Sequence, residues 1–147
     1  MANQLINLIQ KKLNSFEYVL NSIIQETIQD NKKLLTDLNR EQLMSGLLSD
    51  NTPTPPYSIN TLEMRELSGK PYNRNITLFD TGDFQSFFGI DVENGLLDFY
   101  SLDWKSEMLI QEYGKYIFGL TEENFDKAFN EIRPIVKEKI EKWIVEK

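Results

Sequence analysis

Residues 84–102 read FQSFFGIDVENGLLDFYSL, and this stretch specifies a central β-hairpin. Its Asn94-Gly95 dipeptide readily adopts the positive φ angles that a type I′ hairpin turn needs. A two-residue turn there predicts a register with Val92 opposite Leu97, Ile90 opposite Phe99, Phe88 opposite Ser101, Asp91 opposite Asp98 and Gly89 opposite Tyr100. One face of this hairpin is apolar and the other mostly polar, which is typical of an antiparallel sheet covered on one side.

The residues before Asn31 predict a long amphipathic helix. Apolar side chains recur three or four residues apart and no glycine or proline interrupts them, the stripe being Ile6, Ile9, Leu13, Phe16, Leu20 and Ile23. Packing of this stripe in the protein's own core is the interpretation we favour, because tertiary burial stabilises most such helices. A helix–helix contact with another copy of the chain is the alternative.

A second helix is predicted over Arg40–Leu48, with Asn39 as N-cap and Gln42 completing a capping box. Residues 49–56 are predicted to follow as an extended surface loop. This loop contains Pro53, Pro55 and Pro56, and each proline lacks a backbone N–H and has a fixed φ. A helical turn or a short helix is expected over Ser58–Ser68.

Short strands are predicted on both sides of the hairpin, at Ile76–Phe79 and at Tyr116–Phe118. With Phe84–Val92 and Leu96–Leu102 they make an antiparallel sheet of about four strands.

Two further helices are expected. Asp103 can cap a helix that ends at Tyr113 before Gly114, and Thr121 can cap a C-terminal helix that is kinked or restarted at Pro134.

The predicted fold is therefore one α+β domain over 1–147. Its regions are helical (1–48), loop-rich (49–75), sheet with one helix (76–120) and helical (121–147).

The composition excludes several kinds of catalytic and metal site. The 147 residues include no cysteine and no histidine, which excludes disulfides, thiolate or imidazole metal sites and cysteine or histidine catalysis. Sixteen basic against 23 acidic side chains give a net charge of −7, which disfavours nucleic-acid binding. No apolar run approaches the length of about 18 residues that a membrane span needs. We expect a protein made in the cytoplasm that needs no cofactor and contacts no membrane.

One catalytic motif is present. Leu78-Phe79-Asp80-Thr81-Gly82 matches the apolar-apolar-Asp-Thr-Gly of retroviral-type aspartic proteases, in which two carboxylates of a dimer share a proton. That family is nearly all β and continues with Ala or Ser, whereas this chain patterns largely as helix and has Asp83. We therefore expect a non-enzyme in which Asp80, Thr81, Gly82 and Asp83 form a structural turn, as Asn94 and Gly95 do.

The middle of the chain resembles tail-completion and head–tail joining proteins of tailed bacteriophages. The resemblance lies in Tyr57-Ser58 with Thr61, in Leu78 followed by Thr81-Gly82-Asp83-Phe84 and Ser86, in the Asn94-Gly95 hairpin, in Tyr116–Gly119 and in Arg133-Pro134. It implies a virion protein, assembled in the host cytoplasm, that forms a homo-oligomeric ring between portal and tail and has no enzymatic activity. An acidic lumen would let DNA pass without specific binding.

A ring requires contact surfaces, and two polar loops are candidates. They are expected at Pro53, Pro55, Pro56, Tyr57 and Ser58 and at Lys70, Pro71, Tyr72, Asn73 and Arg74. Ordinary connecting loops are the alternative.

A second functional hypothesis is a small acidic cytoplasmic binding module, or an inhibitor that mimics nucleic acid. Independently of that hypothesis, the basic residues Arg65, Lys70 and Arg74 near Tyr57 and Tyr72 are expected to pair with Glu63, Glu66 or a partner's carboxylates and not with phosphate, because the chain is acidic.

Overall fold

The computed structural model describes residues 2–70, 73–93 and 95–146, without the side chain of Ala2. The fold is α+β and mostly helical. Its elements are α1 (Ala2–Asp30), α2 (Lys32–Met44), α3 (Ile59–Leu67), α4 (Asp83–Ser86), β1 (Phe88–Glu93), β2 (Leu96–Ser101), α5 (Ser106–Tyr113), a 3-10 turn (Lys115–Ile117) and α6 (Glu122–Val145). Within the described ranges, no helix combines the length and hydropathy that crossing a bilayer demands.

The hairpin prediction is confirmed, including its register. Val92 pairs with Leu97, Ile90 with Phe99 and Phe88 with Ser101. Ile90 is fully buried, and Asp91 on the opposite face is exposed. A Cβ on Gly89 would lie 2.6 Å from the ring of Tyr100, so a glycine is needed for that ring to cross β1. Gly95 has the expected positive φ of 75°, while Asn94 lies outside the described residues.

The prediction of about four strands is wrong, because the sheet has two strands among the described residues. Ile76–Phe79 is irregular: Leu78 adopts a φ of 56°, which is incompatible with a strand. Tyr116–Phe118 falls largely in the 3-10 turn, and Phe84 belongs to α4 instead of β1. Each segment is apolar and short, and such runs do not distinguish strands from buried turns.

The second helix is also misplaced in the sequence interpretation. α2 begins at Lys32, and Asn39 and Gln42 lie in its buried interior instead of at its cap. The Asn39 amide donates to the Ile117 carbonyl (3.1 Å) and accepts from the Gly119 amide (3.2 Å). Gln42 donates to the Gly119 carbonyl (3.1 Å) and accepts from the Thr121 amide (2.7 Å). The Asn39 and Gln42 side chains therefore supply hydrogen-bond partners for the backbone carbonyls and amides between the 3-10 turn and α6.

The remaining helices follow the predictions more closely. Ser58 caps α3 and Thr121 caps α6. Each hydroxyl accepts a hydrogen bond from the backbone amide three residues later. α5 begins at Ser106, three residues after the predicted cap Asp103, and Gly114 ends it with a φ of 86°. α6 continues through Pro134 as one helix.

Two apolar clusters hold these elements together. One joins α2 to the aromatic residues before and within β1, and comprises Leu43, Leu48, Phe84, Phe88 and Ile117. The other lies between α2, β1 and α6, and comprises Leu35, Leu38, Ile90 and Ala128. Ile28 of α1 packs against this second cluster, so the C-terminal half of α1 lies beside α6.

α1 and α6 run antiparallel. The Phe16 and Trp143 rings lie 5.8 Å apart between centroids, and Lys139 Nζ lies 3.8 Å from Glu26 and 3.6 Å from Asp30. Phe16 thus lies near the C-terminal end of α6.

Candidate protein-interaction surface

The two loops predicted as contact surfaces lie side by side. The Ile76 amide donates to the Pro55 carbonyl (2.8 Å) and the Tyr57 amide to the Arg74 carbonyl (3.0 Å). Pro56 and Asn75 form an antiparallel bridge between them. The two segments therefore make one irregular surface.

Inward hydrogen bonds hold this surface in place. Tyr57 is half-buried, and its hydroxyl accepts from the Thr77 amide (3.1 Å). The Asn73 side chain donates to the Met44 carbonyl (3.2 Å). Pro53, Pro55, Pro56, Ser58 and Arg74 are exposed, Lys70 is half-buried, and Pro71 and Tyr72 lie outside the described residues.

The basic residues beside these loops have partners within the chain. Arg65 is buried, lies 4.8 Å from the centroid of the Tyr57 ring and donates to the Phe79 carbonyl (2.5 Å). Lys70 forms an ion pair with Asp80.

The Asp-Thr-Gly segment forms a turn before α4. The hydrogen bond and charge of Lys70 lower the pKa of Asp80. Thr81 donates to the Asp83 carboxylate (2.7 Å), and Gly82 has a φ of 92°. No group of three acidic residues in the described ranges is arranged to hold a metal ion.

In α1, apolar side chains of a kind that is ordinarily buried are exposed. Every residue from Asn3 to Tyr18 is exposed, although the apolar stripe runs through this part of the helix. Because Phe16 lies beside Trp143 and α6 ends at Val145, residues 3–15 continue past α6. We call residues 3–15 the overhang; at 1.5 Å per residue it is about 20 Å long.

The overhang presents five large aliphatic side chains to solvent. Their exposed fractions are 59% for Leu5, 58% for Ile6, 52% for Leu8, 50% for Ile9 and 61% for Leu13. The favoured interpretation, packing in the protein's own core, is wrong for this part of the helix; it holds nearer α2, where Ile28 packs on a buried cluster. Contiguous exposed apolar surface of this kind is typical of surfaces that contact another protein or a membrane.

A second apolar surface lies between α1, α6 and the hairpin. We call it the groove and define it by Phe125, Phe129 and Ile132 of α6, Leu97 of β2, Ile28 of α1 and Leu35 of α2. It encloses about 590 Å³, and Phe125 and Phe129 are 55% and 51% exposed. Such a concave apolar surface suits an amphipathic helix.

Charge differs between the two apolar surfaces. The overhang carries Lys11 and Lys12 and no carboxylate, so the rest of the chain has a side-chain charge of −9 against −7 for the whole. Three charged residues line the groove, namely Arg133, Lys137 and Glu141. Glu122 and Asp126 lie about one turn before Phe125 and Phe129 on α6. Within the described part of the chain, Lys11, Lys12, Glu122 and Asp126 form no ion pair.

Sequence reasoning found the α1 stripe but not its exposure. The lysines beside the stripe and the absence of an acidic residue before Glu17 were the available signals. The groove was missed because it combines residues from four elements whose arrangement only the fold supplies.

Comparison of this chain with protein-family models, with curated proteins and with solved structures finds no match.

Proposed function

We propose that this protein is a structural, non-catalytic component of a tailed-phage particle. Its copies associate to form part of the neck or tail-completion ring between the portal and the tail. The motif resemblance between residues 40 and 135 supports the phage assignment, and the exposed overhang supports association.

The overhang is the observation that carries the proposal. Fully burying a leucine or isoleucine side chain stabilises by about 1.5–3 kcal/mol, so a half-exposed one has about 1 kcal/mol still to gain. Five such side chains lie on one helix end, among them Leu5, Ile9 and Leu13. Their combined gain of about 5 kcal/mol favours association between copies.

The charge supports the same role. A side-chain charge of −7 repels the phosphate backbone, so DNA can move through a ring of these subunits without being held. The exposed prolines Pro53, Pro55 and Pro56 and the neighbouring Arg74 supply a second, polar surface for portal or tail proteins.

Mass measurement by light scattering over a range of concentrations tests the association. The wild-type chain should rise above 17.2 kDa as concentration increases, and negative-stain images should show closed rings. A Leu5→Glu/Ile9→Glu variant should stay at the monomer mass with unchanged helix content, because both residues are exposed. A wild-type chain that is monomeric at every concentration would contradict the proposal.

Mixing with purified portal and tail subunits tests the position in the particle. We expect co-migration of the wild-type chain with at least one of them. Binding instead to a basic host protein, in a strongly salt-dependent way, would favour the acidic inhibitor hypothesis.

A further inference from the structure

We propose that β2 binds an extended segment of another protein by strand addition, with a basic side chain of that segment beside Asp98. This surface is separate from the overhang, so the inference goes beyond the proposed function and does not depend on it. Three features of the hairpin carry it: a free strand edge, a cleft beside that edge and an unbalanced pair of charges.

The hydrogen-bonding pattern of the hairpin leaves one edge of β2 free. The Leu102 amide donates to the Phe87 carbonyl (3.1 Å), so residues 87 and 102 form a hydrogen-bonded pair. Such pairs alternate along an antiparallel ladder with pairs that are not hydrogen-bonded. The amides and carbonyls of Leu97 and Phe99 therefore point away from β1, and they meet no hydrogen-bond partner in the described part of the chain.

The two outer edges of the sheet differ. The outer edge of β1 lies against α1, where the Gln25 side chain donates to the Val92 carbonyl (3.3 Å), and Ile90 of β1 is fully buried. Leu97 and Phe99 of β2 instead line a cleft of about 580 Å³. Because an unpaired strand edge is a template for another strand, β2 is the edge that is open to addition.

The cleft lies between β2 on one side and α5 with the 3-10 turn on the other. Its far wall includes Ile110, Tyr116 and Phe118, and the Ser106 hydroxyl donates to the Ser101 carbonyl (2.9 Å) where α5 meets β2. A cleft bounded on both sides admits a single extended segment more readily than the edge of a second folded sheet. The backbone of such a segment supplies the hydrogen bonds that the free edge lacks.

Charge identifies a side chain that the segment carries. Asp98 lies directly opposite Asp91 in the hairpin, and both are exposed. Like charges directly opposite each other destabilise a strand pair. Neither carboxylate forms an ion pair with a described residue of the chain. A lysine or arginine of an added strand, opposite Asp98, balances this charge.

The charged residues that line the cleft are Asp98 and Lys115. Lys115 belongs to the far wall, where its ammonium group lies 5.4 Å from the centroid of the Tyr116 ring. Asp98, in contrast, lies on the strand with which the segment would pair. A second copy of the hairpin cannot supply the basic residue, because its strands read FGIDVE and LLDFYS. The occupant is therefore a segment of another protein.

A synthetic peptide, acetyl-Thr-Val-Lys-Val-Thr-amide, tests the proposal. In an antiparallel added strand its two valines pair with Leu97 and Phe99, and its lysine lies opposite Asp98. The full-length Leu5→Glu/Ile9→Glu variant receives the peptide, because its hairpin is intact and its overhang is blocked. Amide hydrogen exchange measured by NMR then reports on each residue of β2.

We expect the Leu97 and Phe99 amides to exchange rapidly in the free chain and to become protected as peptide is added up to about 5 mM. The Asp98 and Tyr100 amides, which face β1, should be protected throughout. Slow exchange of Leu97 and Phe99 without peptide would mean that the edge is already covered, by the chain itself or by a second copy. That result, or no protection at the highest peptide concentration, overturns the proposal and leaves association through the overhang untouched.

Two N-methylated peptides separate strand addition from general apolar binding. Methylation of both valine nitrogens removes the donors that face β2 and should abolish protection. Methylation of the lysine nitrogen, which faces away from β2, should preserve it. Equal binding of the two methylated peptides would show that the backbone of β2 is not what is recognised.

A matched pair of aspartate variants tests the charge. Asp98→Asn should weaken binding of the lysine peptide about fivefold at low salt, as expected for one exposed charge pair. Asp91→Asn, one strand farther from the peptide, should weaken it by about twofold or less. A peptide with glutamate in place of lysine should bind Asp98→Lys more tightly than the parent chain. Equal effects of the two asparagine variants would overturn the assignment of the basic side chain to Asp98.

Discussion

In the overhang, leucine and isoleucine side chains are 50–61% exposed, whereas in the middle of α2 Asn39 and Gln42 are 0% and 3% exposed. The two helices thus reverse the usual relation between polarity and burial. In α2 the polar side chains are buried because the backbone between the 3-10 turn and α6 needs hydrogen-bond partners there. In the overhang the apolar side chains are exposed because no described residue covers them.

A matched pair of leucine truncations should show the largest difference between these regions. Leu43→Ala removes a fully buried side chain from an apolar cluster and should lower the free energy of unfolding by about 3 kcal/mol. Leu13→Ala, on the overhang, should change it by less than about 0.5 kcal/mol. Urea denaturation at a concentration where the chain is monomeric measures both, and comparable losses would show that the overhang is packed within the subunit.

The hairpin and the cap of α6 could be predicted from sequence because their signals are local. Asn94-Gly95 fixes a register within a few residues, and the Thr121 hydroxyl accepts an amide only three residues away. Both contacts follow from chain geometry alone, without knowledge of the rest of the fold.

The start of α2 and the number of strands could not be predicted in the same way. Asn39 is a good N-cap residue, but its partners Ile117 and Gly119 lie 78 and 80 residues away. Ile117 is apolar enough for a strand but lies in a 3-10 turn whose carbonyl is bound by that asparagine. Local propensity was overridden by tertiary hydrogen bonds in both places.

The candidate site was predictable only in part, for the same reason. The apolar stripe of α1 follows from spacing, but its exposure depends on where α6 ends against it. The Pro56–Asn75 bridge likewise joins two predicted loops that sequence alone could not place side by side.

Removing the side-chain amide of Gln42 should lower the free energy of unfolding less than truncating Leu43. Gln42→Ala leaves the Gly119 carbonyl and the Thr121 amide without their side-chain partner, and we expect a loss of about 2 kcal/mol. Gln10→Ala, at an exposed position of the overhang, is the matched control and should be neutral. Thermal or urea unfolding followed by circular dichroism measures the difference, and a neutral Gln42→Ala would mean that water replaces the side chain.

Acidification should produce the smallest change in the free energy of unfolding. This change too should depend on a residue of α2 and not on a residue beside the overhang. The hydrogen bond and charge of Lys33, with those of Arg40, lower the pKa of Asp37 below its ordinary value of 3.8. Arg40 in turn donates to the Gln85 carbonyl (2.6 Å), so this carboxylate connects α2 to α4. A lowered folded-state pKa contributes stability that is complete above the ordinary pKa and is lost as the pH falls through the folded-state value.

Asp37 is 37% exposed, so this contribution should stay below about 1 kcal/mol. Asp37→Asn should therefore reduce the free energy of unfolding measurably at pH 6, and the difference from wild type should fade as the pH is lowered to about 2. Glu17→Gln, an exposed carboxylate just beyond the overhang, serves as the control and should leave the free energy of unfolding within about 0.5 kcal/mol of wild type at both pH values. A difference for Asp37→Asn that persists at low pH would show that the side chain acts through packing and not through its charge.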